Sequence, residues 1–496
     1  MTQDSRPGHG DPSDDRGGAP AGVAARPHGA PMPGMGAAMG GGMGGGMAGG
    51  MGPMGGPMGG RGGPSLRRAL VSLHNRNFRV LWMGSMAANM AMGMEMLARG
   101  YLAFALTGSY ALVGVISISY GLPMLFFALI GGAMADRMDK RMLMLATQAG
   151  TGGLALVLAV LITTDLLTIP ILFVMGLLQG TIMALRMPTQ MAMLPELVPE
   201  DEMMSAVALN NASMNATRPL APMAAGLLLA WGGVGAIYYA QAAMYAITTL
   251  FVAQLPSSTI RFRQAAQRGG MASEIGVAFK YIAGDRRLLL LMLMGVLPML
   301  LMMPMQSLLP GFAEEELGLP PEGLGLLMSL GGIGAVVGSF AVAMLTDYPR
   351  KGLLQLVAGL GAGVSMIGLG AGSAAFGYPA ALAGLMLLGL FQTVYMTANM
   401  TVVMTTMRPE FFGRVMAMFM MSFSLMPMMT YPMGVAADAF TASTTFAAMG
   451  VATVAVMIGF GVTNPGHFRR IEAPAGGPGR SAAPAAAITA AEGDGG

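Results

Sequence analysis

Three ionisable side chains lie inside long apolar stretches: Glu95 and Arg99, four residues apart, and Arg218. An ionisable group in hydrocarbon costs about 2.5–3.5 kcal/mol on insertion scales, which makes such groups functional candidates by default. A buried carboxyl can carry a proton, and a nearby arginine can pair with it. Counted along its helix at about 1.5 Å per residue, Glu95 lies roughly 25 Å from Phe78, and Arg218 roughly 21 Å from Met204. A cross-helix pair is therefore open to them, with Arg99 the competing partner of Glu95 at i+4. A permanent ion pair is the structural alternative to a proton carrier. Arg99, roughly 30 Å along, is placed to reach the interface as an anchor. Uncharged polar residues fall into stripes at helical spacing. Asn211 and Asn215 share a face with Arg218, Gln392 and Tyr395 share one with Asn399, and Gln179 shares one with Arg186. Such stripes serve helix packing or face a cavity. Gln179, Asn211, Asn215, Gln392, Tyr395 and Asn399 are the substrate-cavity candidates.

Charge is concentrated again at 131–141, GGAMADRMDKR, directly after an apolar run from Ala111 to Ile130. A weaker copy, GSFAVAMLTDYPRKG, occupies 338–352 and places Asp347 where the first stretch has Asp136. Gln179 followed by Pro195-Glu196 is likewise echoed by Gln392 followed by Pro409-Glu410. The chain reads as two related halves, an arrangement that in transporters puts the binding site at the interface of the repeats near mid-membrane.

The elements that must position these residues are membrane helices. Only 10% of the 496 residues are charged, against about a quarter in soluble proteins, while 54% are hydrophobic and the mean hydropathy is +0.61. About 20 mostly apolar residues are needed to cross the bilayer. Twelve stretches qualify, near 78–105, 111–135, 142–164, 167–187, 204–231, 234–255, 288–310, 323–345, 352–372, 378–405, 414–437 and 442–463. The expected organisation is a cytoplasmic Gly/Met-rich tail over 1–69 and a six-helix half over 70–255. A central cytoplasmic loop at 256–287 follows, with Ile275, Phe279 and Ile282 on one face of a surface helix. A second six-helix half fills 288–464, and a second tail 465–496. Lys and Arg lie in the tails and in even-numbered gaps between spans, with the acidic gap after span 4 as the exception. Odd gaps carry none, so both termini are expected in the cytoplasm.

Absences narrow the function. There is no cysteine, so thiolate metal sites and cysteine nucleophiles are excluded, and the four histidines lie outside the apolar body. No Walker motif or catalytic constellation is present, so neither an enzyme nor a cofactor is expected. A net charge of +3 gives no sign of nucleic acid. The 55 methionines raise the alternative of a thioether-lined copper transporter, but they are spread over all spans as flexible apolar filler. A receptor or scaffold that transports nothing is the other alternative.

GGAMADRMDKR resembles the loop 2–3 signature of the major facilitator superfamily, with Gly132, Asp136, Arg137, Lys140 and Arg141 matching and Asp139 in place of the usual glycine. That departure, together with NRNFRVLWMGSMAANM (75–90), RMPTQMAMLPELVPEDEMMSAVALNNASMNATRPLAPMAAGLL (186–228) and FFGRVMAMFMMSFSLMPMM (411–429), is similar to the enterobactin-exporter-like and macrolide-efflux-like branch. The resemblance covers about 70–464. It implies an all-α fold of twelve transmembrane helices in two pseudo-symmetric halves. It also implies efflux of drug-like or siderophore-like small molecules across the cell membrane, in exchange for protons, by a monomer. It places Asp136 against the N-terminus of helix 11, where the helix dipole stabilises a carboxylate by about 0.3–1 kcal/mol and Arg414 adds a charge. Gly132, Asp136, Arg137, Lys140, Arg141, Asp347 and Arg414 are thus expected to form a gate. Asp136→Asn should insert normally and transport poorly. Full transport with unchanged reactivity of a cysteine introduced in the outer cavity would remove Asp136 from the gate.

Overall fold

The computed structural model describes residues 71–199, 202–256, 280, 282, 284–345, 348–406, 415, 422 and 424–469, all within one compact unit. Among these residues the regular structure is helical, without strands. Hydrocarbon offers no partner to a backbone N–H or C=O, and a helix satisfies both within itself. A 3-10 turn at Val71–His74 leads into α1 (Arg76–Thr107), α2 (Tyr110–Arg137), α3 (Lys140–Thr163), α4 (Ile169–Leu197) and α5 (Met203–Ala253). The later part holds α6 (Arg286–Met302), α7 (Pro304–Glu315), α8 (Pro321–Met344), α9 (Lys351–Ile367), α10 (Tyr378–Thr406), α11 (Met426–Ala439), α12 (Ala442–Thr463) and a short α13 (Pro465–Arg469). A π-helical turn, Gly368–Gly372, carries α9 on to Phe376.

Among the described residues, nine stretches are long and apolar enough to cross a membrane. One is α5, which contains two predicted spans. Gly232 and Gly233 break its helical path, and Gly233 (φ 70°, ψ −174°) adopts a backbone conformation that L side chains avoid. The arms on either side coincide with spans 5 and 6. The predicted span 7 is instead divided at Met303 into α6 and α7, because Pro304 brings no N–H and its ring crowds the preceding turn. The helix α1 coincides with span 1, and α11 with the second part of span 11, whose first part lies mostly outside the described residues. Most of the predicted surface helix around Ile275 and Phe279 lies outside the described residues.

Helix ends follow local chemistry. Asn75 accepts from the amides of Asn77 (3.0 Å) and Phe78 (3.3 Å), capping α1, and Asp139 accepts from the Arg141 amide (2.9 Å), capping α3. An acceptor at this position satisfies an amide that the first turn leaves unpaired. Asp139 therefore has a local reason to stand where the resemblance has glycine.

Lipid is as apolar as leucine, so helices associate through close packing at small residues. A Cβ added at Gly180 on α4 would lie 2.1 Å from the Tyr120 carbonyl oxygen on α2, and one at Gly176 would lie 2.0 Å from Ser119 Oγ. In the second part of the chain, a Cβ at Gly334 on α8 would lie 1.9 Å from the Met386 carbonyl oxygen on α10. The contact of the second span with the fourth thus has its counterpart between the eighth and tenth, where both members carry glycine: a Cβ at Gly389 on α10 would lie 2.1 Å from the Gly331 carbonyl oxygen on α8. Gly180→Leu should lower the midpoint of thermal unfolding in detergent by several degrees or prevent accumulation, because overpacking costs about 1–3 kcal/mol. Gly153→Ala, where no atom lies within 4 Å of the added Cβ, should leave it unchanged or raise it. Equal effects would show that the α2–α4 contact is not close-packed.

Candidate functional site

Glu95 lies on the buried side of α1, twelve residues before its end. Its Oε2 accepts from Gln241 Nε2 at 2.9 Å and from Gln179 Nε2 at 3.3 Å. Its Oε1 lies 3.9 Å from an Arg99 guanidinium nitrogen. Arg99 is also held by a ring, with its guanidinium carbon 4.3 Å from the Tyr120 centroid, a contact that attracts a cation to the aromatic face. The carboxylate is thus surrounded by α1, α2, α4 and the second arm of α5. A pocket of ≈ 30 Å³ opens beside it, with Tyr238, Gln241, Gln179 and Thr151 among its walls. That is room for about two water molecules. A second polar contact lies nearby, where Arg186 donates to the Tyr245 hydroxyl at 3.0 Å.

Where the two parts of the chain meet, α2 packs on α11, the first arm of α5 on α8, and α1 on α7. The tightest of these contacts lie toward the end that holds the turns at 108–109, 232–233 and 439–442. A Cβ on Gly226 would be 2.7 Å from Gly325 Cα, and one on Gly114 would be 2.4 Å from Tyr431 Cα. At the same end Asp438, on α11, accepts from Ser109 Oγ (2.6 Å), Tyr110 N (2.7 Å) and Ala111 N (3.0 Å) at the start of α2.

The transmembrane secretion effector family matches residues 68–473. The chain belongs to that family. It is a multi-pass membrane transporter of the major facilitator type and not an enzyme. The staphyloferrin A transporter of Staphylococcus aureus is 24% identical to it over 350 residues, 70% of this chain and 86% of that one. The enterobactin exporter EntS of Shigella boydii is 27% identical over 287 residues, 57% of this chain and 67% of that one. The fold matches the crystal structure of the nucleoside transporter NupG, with a TM-score of 0.58 at 16% identity, covering 79% of this chain and 99% of that one. A transporter of the POT family, in complex with 5-aminolevulinic acid, gives a TM-score of 0.62 at 13% identity, covering 79% and 97%.

In this transporter the sequence-predicted residues separate into groups. Glu95 and Gln179 meet. Glu95 pairs with Arg99 and two glutamines rather than with Arg218, because α1 turns its carboxylate into the first-half bundle. Arg218 lies on the first arm of α5, where its own backbone packs against Gly332 of α8. It is partly exposed, as are Asn211, Asn215 and Gln392. Tyr395 and Asn399 are fully buried. Tyr395 donates to the Met294 carbonyl on α6, and Asn399 Oδ1 accepts from Gln355 Nε2 at 2.7 Å on α9. These two residues tie second-half helices together. In the 131–141 cluster, Arg141 donates to the Ala253 carbonyl in the last turn of α5, where a cation is favoured by the dipole. Gly132, Asp136 and Arg137 end α2, with side chains outside the described residues, and Asp347 and Arg414 lie outside them altogether.

Sequence reasoning missed Gln241, Tyr238 and Tyr120. The available signal was the spacing of Tyr238, Gln241 and Tyr245, which fall on one face of span 6. Hydrogen bonds to charged groups contribute about 1.5–3 kcal/mol. Gln241→Leu should therefore destabilise the detergent-solubilised protein by about that much, and by more than Gln179→Leu, whose bond is longer. In the Glu95→Gln background the same change should cost less by about 0.5–3 kcal/mol, as contacting residues couple. Strict additivity in thermal unfolding would mean that Gln241 does not act through Glu95.

Proposed function

We propose that this transporter exports drug-like or siderophore-like organic compounds by alternating access, driven by protons, as a monomer with both termini in the cytoplasm. The relatives' cargoes, named for staphyloferrin A and enterobactin, support the substrate class. The distribution of Lys and Arg supports the orientation. Arg218, Asn211, Asn215 and Gln392 are the polar groups offered to cargo. Gly132, Asp136, Arg137, Lys140, Arg141, Asp347 and Arg414 form the gate at the cytoplasmic end.

One observation carries the proton coupling: Glu95 is held by neutral amides and only loosely by a cation. The N–H groups of Gln179 and Gln241 can donate to a carboxylate oxygen or to the carbonyl oxygen of the protonated acid, so the same cradle serves both states. Arg99 does not depend on Glu95 for its position, because the Tyr120 ring holds it as well. A permanent structural pair would bring two charge-assisted bonds at about 2.7–2.9 Å, not one separation of 3.9 Å. Gain and loss of one proton at Glu95 would then accompany each cycle. Inverted membrane vesicles energised by a proton gradient, tested against a compound panel including catecholate and carboxylate siderophores, decide the reading. Glu95→Gln should abolish gradient-driven uptake and retain binding of the transported compound. Undiminished gradient-driven uptake in Glu95→Gln would assign the glutamate to structure.

A further inference from the structure

We infer that the coupling proton reaches Glu95 through a water-holding shaft inside the first-half bundle, separate from the cargo route between the halves. This rests on Glu95 being the coupling carboxyl. The shaft is the pocket beside Glu95. Among the described residues its walls come only from α1 to α4 and the second arm of α5, and none comes from α6 to α12. Its depth follows from helix positions. Leu172 is three residues inside α4, and Leu158 is five residues from the end of α3. At about 1.5 Å per residue they lie roughly 5 and 8 Å from the end that carries the turns at 108–109 and 164–168. Glu95, twelve residues from the end of α1, lies roughly 18 Å from it. The residues that line the pocket therefore run from near that end down to the carboxylate.

The seam between the halves is shut at this same end by Gly226 against Gly325, Gly114 against Tyr431, and Asp438 on the start of α2. Water arriving there is stopped between the halves but has the shaft within the first half. The end is the outer face on the orientation proposed above, the side from which a proton gradient drives export.

An independent observation calls for water in the shaft. Gln241 lines the pocket, and its Oε1 is buried without a hydrogen-bond partner among the described residues. A buried acceptor with space beside it takes a water. With Nε2 on Glu95 and Oε1 toward that water, Gln241 joins the shaft to the carboxylate. The transfer balances simply. A hydronium in the shaft gives its proton to Glu95 Oε1 and becomes water. Oε2 keeps its two amide donors, the carboxylate becomes a neutral acid, and Arg99 keeps its charge against Tyr120. Tyr238 and Thr151, on the shaft wall, are positioning residues for the water.

The native chain has no cysteine, so single thiols can be modified without background. Leu158→Cys puts one on the shaft wall, and Asn215→Cys puts one on the arm of α5 that meets α8. Protonation of Glu95 after a pH jump is followed in the purified full chain by the infrared carboxyl C=O stretch, identified by its loss in Glu95→Gln. A bulky methanethiosulfonate adduct on Leu158→Cys should slow that band by about tenfold or more, equivalent to about 1.4 kcal/mol of barrier. A methyl-sized adduct on the same cysteine should not, nor should the bulky adduct on Asn215→Cys. Slowing at Asn215→Cys, slowing at neither position, or equal slowing by the methyl adduct overturns the separate shaft. Because Glu95 itself is read, such a failure is distinct from gradient-driven transport surviving in Glu95→Gln, which overturns the coupling reading instead.

Discussion

A backbone amide in hydrocarbon has no partner except another part of the same protein, and the remaining structure depends on that constraint. It makes each crossing segment a helix and leaves helices without a hydrophobic drive toward one another. Association then relies on how closely backbones approach. Gly176 and Gly180 bring α4 onto α2, and Gly334 brings α8 onto α10. The same device joins the two parts of the chain, where Gly226 meets Gly325 and Gly434 meets the Tyr110 carbonyl. Since these last contacts gather toward one end of the helices, that end is where the parts are pinned.

Charge is handled under the same constraint. Glu95 is not offered to the opposite half but wrapped by donors from its own. Its arginine is anchored by a ring as well as by the carboxylate, so neither group is stranded if the other changes state. The second half has a buried polar cluster of its own, Gln355, Tyr395 and Asn399, and it is uncharged. One half therefore holds a carboxyl inside the bundle, while the other is tied by amide and hydroxyl contacts.

Helix termini supply the remaining electrostatics. Asp438 sits on the amides that open α2, and Glu316 on those of Ala442 and Ser443 that open α12. Both are acceptors at the positive end of a helix. At the opposite end of α2, Asp139 caps α3 and Arg141 holds the last turn of α5. Part of the charged 131–141 stretch thus works within the first half, fastening span 3 to span 6, whatever its other members do across the seam.

The membrane class, the helical fold and most span positions were legible in the sequence, because hydropathy and the Lys/Arg distribution act locally along the chain. So was Glu95, since a carboxylate in an apolar run is conspicuous whatever surrounds it. Its partners were not. Depth along two helices made Arg218 as eligible as Arg99, and only the rotation of α1 about its axis, set by close packing at Gly93 against Ala221 and Gly100 against Ser307, turned the carboxylate toward Gln179 and Gln241. The same limit applied to Tyr395 and Asn399, whose stripe on α10 read equally well as cavity wall or packing face until α6 and α9 covered it. Sequence spacing determines which residues share a helix face. Which neighbour that face meets is decided by the simultaneous packing of every helix in the bundle, and no single segment carries that information.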